Sequence, residues 1–176
     1  MTDIADLPDE LRGDRVTLRP ATGADVPALL AVARTPEVHR WWGDQDTLAA
    51  DITGDEVGVF TISIDGAVVG MIQFDEEDDP EFRHAGIDVY LHPRVHGHGY
   101  GTDAVRTLAR WLVADRGHHR LTIDPDARNH AAIRAYAKAG FKTVGTLRRY
   151  SDVHRTGQWS DGLLMDALAE DVLRGP

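Results

Sequence analysis

The sequence predicts one mixed α/β domain, a sheet flanked by helices, across residues 1–176. Three observations carry this expectation. Strand-like and helical periodicities alternate along the chain, an Asp65-Gly66 pair separates two β-branched runs, and a glycine-rich turn opens the most regular amphipathic stretch. The 176 residues suit a single core, and a 42% hydrophobic content is enough to fill it.

Taken in order, residues 15–19 alternate polar and apolar before Pro20 closes a first strand. Thr22 stands where a side-chain oxygen accepts an early helical N–H, ahead of Val26, Leu29, Leu30 and Ala33 on one face, with Pro36 as the stop. A second helical stretch is expected at 45–53. Trp41 and Trp42 between them read as aromatics at a helix end, packed in the core or walling a pocket. Runs 57–64 and 67–74 flank the Asp-Gly turn and should pair antiparallel. Residues 85–91 form another strand, ended by His92-Pro93. From 102 to 116, Ala104, Val105, Leu108, Ala109 and Leu112 recur at helical spacing, and Gly117 ends the helix. A strand at 120–124, a helix at 131–139 capped by Asn129 and stopped by Gly140, and terminal strands at 141–150 and 159–168 complete the chain. The β-α-β step from Asp88 to Asp124 should be right-handed and parallel, bringing the glycine turn and Asp124 to neighbouring carboxyl ends, where ligands bind in such sheets.

Composition narrows the function. A formal charge of −10 argues against nucleic acid and for a cationic partner. No apolar run approaches the roughly 20 residues of a membrane span, and the opening Met1-Thr2-Asp3-Ile4-Ala5-Asp6 is acidic where a signal peptide is basic, so a cytoplasmic protein is expected. The absence of cysteine removes thiolate nucleophiles, thiolate zinc sites and disulfides. The densest acidic run, 75–81, reads either as a solvated loop or as an electrostatic lure for a polycation.

Successive N–H groups of His96-Gly97-His98-Gly99-Tyr100-Gly101-Thr102 can converge on an anion at a helix N-terminus, and glycine permits close approach. No Gly-Lys-Ser/Thr follows, and the glycine spacing is not that of a dinucleotide fold. His96 and His98 alternate in a turn without a third ligand, so no metal is expected. Asp88 stands inside the apolar run Gly86-Ile87-Asp88-Val89-Tyr90-Leu91, where an unpaired carboxylate is costly, so it should face a cleft. There it can bind an ammonium and take its proton. Asp124, ending the next strand, can anchor a cation in the same way.

The glycine turn resembles the pyrophosphate-binding motif of the GNAT acetyltransferases, with Gly99 and Gly101 at its two small positions and His96 in place of the usual Arg or Gln. Asn129-His130-Ala131-Ala132-Ile133-Arg134-Ala135-Tyr136-Ala137-Lys138-Ala139-Gly140-Phe141 resembles the family's second signature. The resemblance implies a GNAT-like fold and acetyl-CoA as cosubstrate, with no metal. It implies that His96, Gly97, His98, Gly99, Tyr100, Gly101 and Thr102 hold the pyrophosphate. The strand at Tyr90 and Leu91 would pair with the pantetheine amides, and Asn129, Ala132 and Tyr136 would lie along the coenzyme. A phenol at Tyr136 can then protonate the departing thiolate, while Asp88 serves as base.

Trp41-Trp42-Gly43, Glu76-Glu77-Asp78-Asp79-Pro80 and Asp124-Pro125 further resemble the aminoglycoside 6′-N-acetyltransferases. That likeness implies an acceptor site containing Trp41, Trp42, Glu77, Asp78, Asp79, Asp88 and Asp124. The ending 145–149 and 157–165 also looks like that of the ribosomal-protein N-terminal acetyltransferases, and a non-catalytic acyl-CoA-binding domain is a third reading, opposed by the presence of Asp88 and Tyr136.

Overall fold

The computed structural model describes residues 6–174, so the acidic segment 1–5 lies outside the described residues. Eight strands form one sheet in the order β1-β2-β3-β4-β5-β6-β8-β7, where β1 is Leu11–Arg12, β2 Thr17–Pro20, β3 Gly58–Ile64, β4 Ala67–Glu77, β5 His84–Leu91, β6 Arg120–Ile123, β7 Lys142–Ser151 and β8 Ser160–Leu168. Among the described residues only β5 and β6 pair in parallel, as expected for the strands joined through a helix. That helix is α4 (Tyr100–Ala114). It buries Ala104, Val105, Leu108, Ala109 and Leu112, the apolar face read from the sequence, in the main core. Helix α5 (His130–Lys138) adds Tyr136 to this core. On the opposite face, α1 (Val26–Ala33), α2 (Pro36–Trp42) and α3 (Leu48–Thr53) enclose a smaller cluster around Leu29, Val38, Leu48, Met71 and Tyr90. Helix α6 (Ala169–Arg174) closes the described chain and buries Val172.

Local signals fix several boundaries. Asp65 and Gly66 both take positive φ, 50° and 80°, as a two-residue hairpin turn requires. The Asn129 side chain accepts the Ala132 N–H at 3.2 Å and starts α5. At Thr22 a capping box forms with Asp25. The Thr22 hydroxyl donates to Asp25 at 3.0 Å, and the Asp25 carboxylate also takes the Thr22 N–H and a bidentate pair from Arg19. A 3-10 turn, Gly23–Asp25, therefore precedes α1.

Three expectations change. Pro36 starts a helix as well as following one, because proline's missing N–H costs nothing in a first turn, so Trp41 and Trp42 end a helix of their own. The strand expected first at 15–19 is β2, running from Thr17 through Pro20, and is preceded by the two-residue β1, too short to show a period. The acidic run is not a loop throughout: Asp75, Glu76 and Glu77 continue β4, pairing with Gly86, Ala85 and His84.

Glu76 explains that extension. Its side chain, 5% exposed, accepts hydrogen bonds from Arg116 and His118, which approach from beyond the end of α4. Arg116 also lies 5.5 Å from the Phe74 ring and 5.4 Å from the Trp111 ring. Burial alone would raise the Glu76 pKa, but the bonds from Arg116 and His118 outweigh it and hold the carboxyl below its usual range. Burial also holds His118 below the ordinary histidine value. Both groups thus bind fewer protons folded than unfolded, so their contribution to stability is lost as pH falls.

Removing the buried counter-charge with Glu76→Gln should lower unfolding free energy by about 3 kcal/mol. Urea denaturation at neutral pH checks this. A midpoint equal to wild type would show that the cluster contributes no net stability.

Candidate functional site

The cleft begins where two strands separate. β5 and β6 pair only at Ala85 with Leu121 and Gly86 with Thr122. Past that point their backbones leave a cleft of about 520 Å³, floored by Asp88, Val89, Tyr90 and Leu91 on one side and by Ile123 and Asp124 on the other. The glycine turn and the first residues of α4, Asn129 with Ala132 and Tyr136 of α5, and Trp41 and Trp42 of α2 complete its lining.

The turn has an unusual backbone. Gly97 and Gly99 have φ of 75° and 83°, conformations in which L side chains are strained. A Cβ on Gly97 would meet nothing within 4 Å, so the backbone there stands open. α4 starts at Tyr100, and its first turn, whose N–H groups lack intrahelical partners, lines the cleft through Tyr100, Gly101 and Thr102. Arg15 secures this turn from outside: its guanidinium donates to the His98 carbonyl and lies 4.1 Å from the Tyr100 ring centroid. Asp103 in turn accepts the N–H groups of Asp14, Arg15 and Val16 at 2.8–3.1 Å. No local pattern marks these long-range contacts, and sequence reasoning missed Arg15.

The residues singled out in the sequence divide into two groups. Trp41, Trp42, Asp88, Tyr90, Leu91, His96, Gly97, Gly99, Tyr100, Gly101, Thr102, Asp124, Asn129, Ala132 and Tyr136 all line the cleft. His98, Glu77, Asp78 and Asp79 do not. The ring of His98 bonds back to the His96 carbonyl at 2.7 Å. Glu77 sits at the far end of β4, opposite His84 at the start of β5, and Asp78 and Asp79 follow it into the exposed turn. The acidic run therefore lies at the other end of β5 from the glycine turn.

Several lining side chains already have structural partners. Tyr90 donates its hydroxyl to the Leu29 carbonyl at 3.2 Å and meets Trp42 edge to face at 5.0 Å, leaving its backbone for the cleft. Thr102 donates to the Ala135 carbonyl, joining α4 to α5, and the His96 ring bonds the Leu91 carbonyl at 2.7 Å. Trp41 is flanked by Arg40 and Arg128, at 4.5 and 5.9 Å. Among the described residues no cluster of three or more metal-ligating side chains occurs, and no helix is long and apolar enough to cross a membrane.

Electrostatics distinguish the other end of the cleft. Asp88 and Asp124 face it together, and Lys138 is the only lysine or arginine among the lining residues. Burial, with a further contribution from Asp124, pushes Asp88 up to about 6, while Gln73 donates to it at 3.4 Å and opposes the shift. Burial also raises Asp124, against a hydrogen bond from Tyr150 at 2.9 Å. Tyr136 is 8% exposed, and burial, Asp88 and Asp124 all raise its pKa, so its phenol remains protonated at neutral pH. A potential base and a protonated acid thus share one cleft. Glu37, Asp126, Tyr150, Val153 and Asp161 also line it and were not foreseen.

The link between β7 and β8 reaches the same cleft, where Val153 lines it. His154 bonds the Arg40 carbonyl and packs against His39, with ring centroids 5.1 Å apart. Gly43 sits so close to Val153 that a Cβ would come within 2.1 Å of its carbonyl oxygen. Val153 and His154 therefore join this link to α2 across the cleft.

Comparison with known proteins agrees with this architecture. A model of the acetyltransferase (GNAT) domain matches residues 15–142, so most of β7 and all of β8 lie beyond it. Aminoglycoside N(6′)-acetyltransferase type 1 of Klebsiella pneumoniae is 30% identical over 157 residues, covering 76% of this chain and 77% of the relative. AAC(6′)-Ib in complex with ribostamycin and coenzyme A superposes with a TM-score of 0.74 at 26% identity, over 92% of this chain and 97% of that one. Mycobacterium smegmatis RimJ in complex with CoA-disulfide has the same fold, with a TM-score of 0.85 at 23% identity over 99% and 93% of the two chains.

Asp88 should titrate near pH 6 in the free protein, followed by the NMR shift of its carboxyl carbon. Asp124→Asn should lower that value only part of the way, because burial remains. A titration of Asp88 in the ordinary carboxylate range would contradict this electrostatic description.

Proposed function

The chain belongs to the GNAT acetyltransferases, and from that premise we propose that it acetylates the 6′-amine of aminoglycosides, with Asp88 as base, Asp124 as ammonium anchor and Tyr136 as acid. The observation that carries this reading is the pairing of Asp88 with Asp124 at the acceptor end of a cleft whose other end is a glycine turn at a helix N-terminus.

Acetyl-CoA supplies an acetyl group already activated as a thioester. The residues present fit it: open backbone at Gly97, N–H groups at the start of α4, and the edge of β5 beyond its last pair with β6. The amine must lose its proton to become a nucleophile, and a carboxylate near 6 is mostly ionised at neutral pH yet basic enough to accept that proton, directly or through water. Attack of the amine nitrogen on the thioester carbonyl breaks the carbon–sulfur bond and forms the amide as the nitrogen's second proton leaves through water, which restores the Tyr136 phenol after it protonates the thiolate. Tyr136, kept protonated by its burial, can return a proton to the thiolate. Asp124 holds the acceptor's positive charge without needing to transfer a proton.

Aminoglycosides carry several ammonium groups, which suits this carboxylate pair and the −10 net charge. The Klebsiella relative supports the choice of acceptor, as does its match over three quarters of the chain. We place the protein in the cytoplasm, where acetyl-CoA is made, and assign residues 1–176 to one catalytic domain.

Mass spectrometry of kanamycin and its 6′-hydroxyl analogue tests the proposal. Acetylation of kanamycin alone is expected, and Asp88→Asn should reduce turnover by about 100-fold or more. Equal modification of both compounds would eliminate 6′ regiospecificity. Activity confined to N-terminal peptides would instead favour the ribosomal-protein group.

A further inference from the structure

The pairing of β7 with β8 is interrupted beside the acceptor end. Leu147 faces Gly162 and Ser151 faces Ser160, so Arg148, Arg149 and Tyr150 together oppose Asp161. Such a bulge bends its strand and redirects a side chain. Here Arg149 adopts a φ of 49°, an uncommon state for a non-glycine residue, and its N–H is held by the Asp161 carboxylate at 2.7 Å. The Tyr150 ring lies over Gly162, where a Cβ would come within 2.7 Å of the ring. The result is a phenol that reaches across from the sheet's edge strand and donates to Asp124 Oδ2 at 2.9 Å.

We propose that Tyr150 is a positioning residue for acceptor recognition: the bulge and Gly162 exist to deliver its hydroxyl to Asp124, holding that carboxylate ionised and oriented toward the acceptor's ammonium group. This deepens the reading of Asp124 as anchor and rests on it. Packing alone explains less. A tyrosine kept only to cover Gly162 requires no hydroxyl, whereas this one bonds a cleft carboxylate.

The groups around Asp124 show why it needs such a partner. Asp88 on β5 and Asp75 on β4 are both near enough to couple with it, and Tyr136 on α5 responds to its charge. Asp75 belongs to the same sheet face as Gln73 and Asp88, and its Oδ1 occupies the space over Gly86, 2.5 Å from where a Cβ would stand. Two carboxylates and a buried phenol thus lie around Asp124, and each interacts unfavourably with its charge. Tyr150 is the neutral donor that favours the charged form. Its own hydroxyl is pushed up to about 12 by burial and by Asp124, so it remains a donor throughout the working pH range.

Tyr150→Phe removes the hydroxyl and keeps the ring over Gly162. The Michaelis constant for the acceptor should rise about tenfold while kcat changes less than about twofold, the range for losing one hydrogen bond to a charged group. In an Asp124→Asn background the same change should alter KM by less than about twofold. The NMR titration of Asp124 in the free protein should move up, because the bond that stabilises the carboxylate is gone. The acid limb of acceptor binding should move the same way. An equal KM penalty in both backgrounds, or an unmoved Asp124 titration, would overturn the proposal. If kanamycin is not acetylated at all, the assigned acceptor fails by itself, and the Asp124 titration still decides the role of Tyr150.

Discussion

Beyond Gly86 and Thr122 the ladder between β5 and β6 ends, and the β5 backbone from Asp88 to Leu91 turns its β6-facing edge toward a cleft. Backbone N–H and C=O groups withdrawn from a sheet need other partners, either water or an extended ligand with amides of its own. The rest of the site follows from this parting. α4 starts close to the C-terminal end of β5 and brings a helix N-terminus to one end of the opening, while Asp88 and Asp124 are carried to the other by the two strands that separate. A fully paired sheet would have brought the same side chains together without leaving space for a substrate between them.

Charge is distributed with a similar division of labour. Glu76, on the helix-covered face of β4, is neutralised by Arg116 and His118 and acts in stability. Asp75, its neighbour on the other face, is exposed and coupled to Asp88 and Asp124. Alternation along one strand therefore separates a structural carboxylate from a row that faces the acceptor end. Asp126 lines the cleft too, but its bidentate bonds to Arg128 satisfy it and hold its carboxyl at about 2. Asp88, in contrast, has a weak bond to Gln73 and like charges beside it. The proposed acceptor's ammonium would supply the counter-charge that these strands lack.

The features legible in the sequence were those coded locally. The Asp65-Gly66 turn, the Asn129 cap, the apolar face of α4 and the glycine turn each depend on residues within a few positions of one another, and the structure contains them all. The cleft position of Asp88 was legible for a related reason: a carboxylate within an apolar strand has few other tolerable places. The acidic run misled because charge density suggests solvent, whereas the burial of Glu76 depends on Arg116 and His118, 40 and 42 residues away. The bulge at Arg149 was invisible because its positive φ is carried by arginine, without the glycine that ordinarily marks such a position. Arg15 and Tyr150 reach the site only through tertiary pairing, and no spacing rule connects Tyr150 to Asp124.

A crystal structure of the protein with coenzyme A and a bound aminoglycoside tests the central claim most directly, namely that one cleft divides into an anion-binding end and a cation-binding end. The pyrophosphate is expected against the N–H groups of the Gly97 to Thr102 turn, with an acceptor ammonium between Asp88 and Asp124. An aminoglycoside ammonium bound instead at Glu77, Asp78 and Asp79, or a coenzyme outside the opening between β5 and β6, would contradict it.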